Sequence, residues 1–327
     1  MVLNPTTVRQ KIIRSWPYRN LARNMSTFNH SRLGVPVTLP EGLSEEQVLK
    51  FHPFQVSAGN SMLELRSLAA NQTAGPQSWI TTLQNSLELQ SQNASHPFHS
   101  DPYVLRSVTV QAYDLFGKRV GFLKLTSKVS NGADEWLPGA VFLRGPSVAM
   151  LVTLVPDDVP ADTDERYVLL TVQPRIAAGS LEFVELPAGM VDEAGNFGGT
   201  AANEIQEELG LEIPVGELTS LSDLAAGISG GSFGDEGAAL RDGNLPRGVF
   251  PSPGACDEYI PIYAHERRIP RSQLGEWTGR LTGLRDHGEK ITLKLVRMQD
   301  LWKEAARDGK TLAALALWEG LRREGKI

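Results

Sequence analysis

Apolar residues recur first at helical and then at strand spacing along this chain. Ser44 followed by Glu-Glu-Gln-Val-Leu-Lys predicts a capped helix start. Trp79, Leu83 and Leu87 fall on one face of a helix over 76–89, and the polar, turn-rich residues 90–102 read as a linker. From 104 the period drops to two. Val108, Val110 and Ala112 alternate with polar residues, 114–118 turns, and 120–125 returns as the hairpin partner. The longest apolar run, 140–155, is broken by Arg144, Gly145 and Pro146. It therefore reads as two strands joined by a turn, and it is too short to span a bilayer. Strands over 139–144, 147–155, 166–174, 181–186, 259–264 and 289–297 combine with helices over 200–209, 300–307 and 311–323. In the last of these, Leu312, Leu315, Leu317 and Leu321 are distributed for packing. Strands covered by helices on both faces predict an α/β/α sandwich over 138–327, behind a small antiparallel β-containing domain over 41–137.

Composition narrows the function classes. A length of 327 suggests about two domains, and 41% apolar with 21% charged residues is ordinary for a globular protein. A net charge of −6 argues against general nucleic-acid binding, which favours basic surfaces. The single cysteine, Cys256, excludes an intramolecular disulfide and suits a reducing compartment. A nucleophile role for it can be considered, but a small buried filler accounts for it more simply. Residues 1–40 hold no Asp or Glu and six basic residues, Arg9, Lys11, Arg14, Arg19, Arg23 and Arg32. Val8, Ile12, Ile13 and Trp16 share a helical face there. Such a segment reads either as a transit peptide, for which mitochondrial import is the favoured destination, or as a disordered basic tail on a cytoplasmic protein.

The candidate chemistry lies in residues 200–211. Thr200 is a plausible N-cap, Ala201 and Ala202 favour helix, and Gly210 is placed to end it. Glu204, Glu207 and Glu208 stand at i, i+3 and i+4, on one face. Like charges at this spacing repel, and acids in a last turn oppose the negative end of the helix dipole. A divalent cation relieves both, because Mg²⁺ takes carboxylate oxygens. A solvated acidic face is the plain alternative.

Gly189 followed by Glu204-Ile205-x-Glu207-Glu208-x-Gly210-Leu211 resembles the Nudix box, Gly-x5-Glu-x7-Arg-Glu-U-x-Glu-Glu-x-Gly-U, with U apolar. Two positions depart: Gly195 stands at the first Glu and Asn203 at the Arg. Neighbouring Asp192 or Glu193 could supply the missing acid. Gln173-Pro174-Arg175 and Glu185-Leu186-Pro187-Ala188-Gly189, with Pro251-Ser252-Pro253-Gly254 and then Asp257-Glu258, are similar to the ADP-ribose and ADP-sugar diphosphatase branch. Residues 116–124, 138–149 and 283–289 resemble plant ADP-sugar diphosphatases in particular.

The resemblance implies a Nudix sandwich, and metal-dependent cleavage of a nucleotide sugar such as ADP-glucose or ADP-ribose into AMP and a sugar phosphate. It implies Mg²⁺, or Mn²⁺ in its place, held by Glu204, Glu207, Glu208 and the Ala188 carbonyl, with Glu289 as remote ligand or general base. His287 is an alternative base, and Asp257 and Glu258 are supporting candidates. Arg175 is a candidate phosphate fork, with a surface salt bridge as its plain alternative. Pro253 and Gly254 would line the substrate site. A homodimer built partly by the N-terminal domain is also implied. The departures at Gly195 and Asn203 keep a catalytically weak nucleotide-sugar sensor, or a purely structural protein, as competing expectations. Residues 226–254 carry eight glycines but lack the Lys-Ser/Thr ending of a P-loop, and read as a flexible insertion.

Overall fold

The computed structural model describes residues 25–31, 33–55, 77–160, 162–191, 197–227, 245–283 and 290–327. Asp192, Glu193, Gly195, His287 and Glu289 lie outside the described residues. Among the described residues, the first unit is one sheet with two α-helices. β1 (Ser26–Asn29) pairs with β2 (Pro36–Leu39). α1 (Glu45–Lys50) opens on the expected capping box: the Ser44 hydroxyl accepts from the Gln47 N–H, and Gln47 Oε1 accepts from the Ser44 N–H. α2 (Trp79–Gln92) is capped by Ser78. β3 (Val104–Phe116), β4 (Arg119–Ser130), β5 (Trp136–Leu137) and β6 (Ala140–Leu143) complete the sheet. Val37, Leu39, Phe54, Ile80, Val108, Val110, Leu123 and Leu125 form its core.

Three features of this unit differ from the sequence expectation. Residues 26–39, assigned to an unfolded N-terminal segment, form two strands, because Val35, Val37 and Leu39 alternate with Pro36 and Thr38 and are buried. The sheet is not wholly antiparallel, since β2 runs parallel to β3 through Val37 and Val108. β6 pairs with β4 and stays in the first sheet, so the chain changes sheets at 144–146 rather than at 137.

The second unit places β7 (Ser147–Pro156) and β8 (Tyr167–Arg175) at the centre of an eight-stranded sheet. β9 (Ser180–Glu185) adds to β8, and β10 (Ala188–Met190) adds to β7. α3 (Phe197–Glu204) follows, and then a π-helical turn, Ile205–Leu209. β11 (Thr219–Ser220), α4 (Leu221–Ala225), β12 (Ile262–Ile269), β13 (Leu281–Thr282), β14 (Ile291–Arg297), α5 (Leu301–Glu304) and α6 (Gly309–Arg323) finish the chain. The strand order is β11-β12-β7-β8-β14-β13. β12 begins after Pro261, which has no N–H to give the ladder.

All ten residues of β7 are buried, and its two faces serve two cores. Val148, Met150, Val152 and Leu154 pack against Ala201, Ile205 and Leu209. Leu151 joins Leu170, Leu186, Leu221, Leu301, Leu315 and Leu321 on the other side. Each fully buried aliphatic side chain contributes about 1.5–3 kcal/mol, so neither helical layer can lift off cheaply. The expected α/β/α sandwich is the architecture that forms. Among the described residues, no helix is long and apolar enough to cross a membrane.

Candidate metal and active site

The apolar seam of the acidic helix sets which carboxylates turn inward. Ala201, Ile205 and Leu209 recur every four residues and are fully buried. The helix starts at Phe197, three residues before the expected cap at Thr200, and widens into the π turn at Ile205. Single π turns are frequent at functional sites. Gly210 ends it in the left-handed region at φ 69°, as its lack of a side chain allows. Glu208, beside the seam, is buried; Glu204 is half-buried; Glu207 is exposed. The three acids expected on one face thus differ in burial, Glu207 being the most exposed of them. Asn203 is exposed as well.

The two inner carboxylates meet the bend between β9 and β10. A Cβ added at Gly189 would lie 1.7 Å from Glu204 Oε1 and 1.8 Å from its Cδ, so glycine is what admits that carboxylate. Glu208 Oε2 accepts the Ala188 N–H at 3.1 Å, and Gln173 Nε2 donates to Oε1 at 3.4 Å. Gln173 and Glu208 are 6% and 2% exposed, so these donors offset the desolvation of a buried charge. Carboxylate oxygens at a backbone bend are hard donors, and this set fits Mg²⁺ or Mn²⁺. Two acids are short of a full cage: among the described residues, no three acidic, histidine or cysteine side chains cluster to hold an ion.

Arg175 ends β8, where its Nε donates to Glu185 Oε1 at 2.5 Å. Pro253 and Gly254 are exposed in a turn closed by N–H groups of Ala255 and Cys256 on the Ser252 carbonyl. That turn is docked onto the start of β7. Asp257 accepts the N–H groups of Arg144 at 2.8 Å and Gly145 at 3.2 Å. Burial nonetheless pushes its carboxyl up to about 6. Glu258 takes the Ser147 hydroxyl at 2.7 Å and Arg144 Nη1 at 2.9 Å, and Ser147 pairs with Met190, the neighbour of Gly189. Burial also pushes the Cys256 thiol up, which suits a filler better than a nucleophile. Sequence reasoning missed Arg144 and Ser147 as neighbours of the site, and the position of Gln173 against Glu208. Only the Gln-Pro-Arg run carried any signal for the last.

No family model matches the chain. Nudix hydrolase 14, chloroplastic, of Arabidopsis thaliana is 36% identical over 225 residues, which are 68% of this chain and 65% of that protein. The chain thus spans just under two thirds of that relative's length. A solved structure described as "Crystal structure of ADP compounds hydrolase" superposes with a TM-score of 0.43 at 15% identity, over 69% of this chain and 97% of that one. With the acidic helix docked beneath its box glycine and this relative matched over 225 residues, the chain belongs to the Nudix hydrolase family.

Proposed function

We propose that the chain hydrolyses the diphosphate bond of ADP-sugars, ADP-glucose or ADP-ribose, to AMP and a sugar phosphate, using Mg²⁺ or Mn²⁺. The observation that carries this reading is the pairing of Glu204 against Gly189 with Glu208 on the Ala188 N–H. It sets two hard anionic donors at one bend. Glu204, Glu208 and the Ala188 carbonyl would hold the ion, with Glu207 and Glu289 completing the set. A divalent ion held there supplies neutralisation of the two phosphates and acidification of the attacking water. Glu289 is the proposed base for that water's proton, and Glu207 the other carboxylate able to take it. Arg175 would fork a phosphate, and Pro253 and Gly254 would line the sugar or adenine.

The name of the Arabidopsis relative supports a hydrolase, and the quoted sequence motifs support the ADP-sugar branch. A second reading, a catalytically weak nucleotide-sugar sensor, is favoured by one observation: Gly195 and Asn203 stand where the box carries Glu and Arg. Release of AMP from ADP-glucose and ADP-ribose with Mg²⁺, against UDP- and GDP-sugars, tests the first. Calorimetric binding without turnover would select the second. A homodimer joined through the first sheet is part of the proposal, and sedimentation tests it. So is import into an organelle, with the mitochondrion favoured. The acid-free N-terminus and the chloroplastic relative both support import, and a fluorescent fusion tests it.

A further inference from the structure

The bend that carries Ala188 and Gly189 is tied to the last helix of the chain. Asp308, the N-cap of α6, accepts the Leu186 N–H at 3.1 Å and the Thr311 hydroxyl at 2.6 Å on Oδ2. Its Oδ1 accepts from Lys310 Nζ at 3.1 Å. Lys310 Nζ also donates to Glu185 Oε2, while Glu185 Oε1 is taken by Arg175 Nε. Charges therefore alternate along Arg175, Glu185, Lys310 and Asp308, from the end of β8 to the far helical layer. The side chains of Glu185, Asp308 and Lys310 are 4%, 7% and 11% exposed, whereas that of Arg175 is 41% exposed.

A carboxylate as buried as Glu185 needs a cation. Were Arg175 its only one, drawing Arg175 onto a substrate would strand that charge. Lys310 covers the opposite oxygen, so Arg175 need commit only Nε, and that is its one side-chain hydrogen bond among the described residues. The Nη pair is the edge that matches a phosphate bidentately.

We propose that Lys310 is a positioning residue for substrate diphosphate: it compensates Glu185 from behind and so leaves the Nη edge of Arg175 for a phosphate. This rests on the diphosphatase reading above. Its test is steady-state AMP release from ADP-ribose with Mg²⁺ by the full chain and three variants. Lys310→Met should raise KM about tenfold, one charge-assisted hydrogen bond's worth of substrate binding, with kcat within about threefold. Lys310→Arg should recover most of the loss. Lys310→Met with Glu185→Gln removes the stranded carboxylate, and should return KM to within about threefold of wild type. A wild-type KM in Lys310→Met, or failure of both rescues, would overturn the proposal. Should Lys310→Met not fold, the double variant decides: near-native KM supports compensation, and a tenfold rise refutes it. A wild-type chain that releases no AMP would remove the diphosphatase reading, and this inference with it. An active wild type with an unaltered Lys310→Met removes the inference alone.

Discussion

Gly189→Ala separates the fold from the proposed metal face. The added Cβ would stand 1.7 Å from Glu204 Oε1, so that oxygen must retreat by about 1.3 Å to reach 3.0 Å, the practical floor for Cβ contacts. The obstacle is the far end of a flexible side chain rather than backbone. Turning Glu204 off its rotamer costs about 0.5–1.5 kcal/mol, a shift in Tm of a few degrees. Catalysis is less forgiving, since a misplacement of about 1 Å can cost roughly a hundredfold in rate. The expected outcome is a cooperative unfolding transition within about 5 °C of wild type, with AMP release lowered by about a hundredfold or more. Thermal unfolding followed by circular dichroism, and AMP release at saturating Mg²⁺, measure the two. Activity within threefold of wild type would refute the placement of Glu204 on the metal face. A collapse of Tm with proportionate loss of activity would show that Gly189 serves packing alone.

Glu208→Gln keeps an oxygen for the Ala188 N–H while removing the charge, so hydrolysis should fall by about a hundredfold or more with Tm little changed; near-normal turnover would take Glu208 out of the site. Asp257 carries a pH signature. Its folded value of about 6 lies above the usual unfolded value near 3.9, so its contribution is fully present below about pH 4 and is lost as pH rises through 6. Wild type should accordingly lose about 2 kcal/mol relative to Asp257→Asn between pH 4 and pH 7, measured by denaturant titration, and parallel curves would refute it. Deleting residues 1–35 removes β1 and the buried Val35 and should lower Tm by several degrees in thermal unfolding; an unchanged Tm would refute the packing of β1.

Much of this molecule was legible in local pattern. Alternation marked the hairpin of β3 and β4, and the largely apolar run at 147–155 marked a strand, because those patterns follow from backbone geometry alone. The same holds for the Ser44 capping box, and for Gly210 at the end of the acidic helix. Spacing placed Glu204 and Glu208 a turn apart. It could not bury Glu208 while leaving Glu207 exposed, because that depends on the Ala201–Ile205–Leu209 seam meeting β7 and on the widened π turn. Nor could local pattern keep β6 in the first sheet or lay β1 and β2 beside β3, since strand pairing is chosen by partners distant in sequence. Arg175 looked like either a phosphate fork or a surface pair. Only the tertiary structure gave it Glu185, ten residues away, and gave Glu185 a second cation from Lys310, 125 residues on. Periodicity reports which face of an element is apolar; sheet order and helix docking decide which charges stand across from it, and these are settled by burial summed over the whole chain.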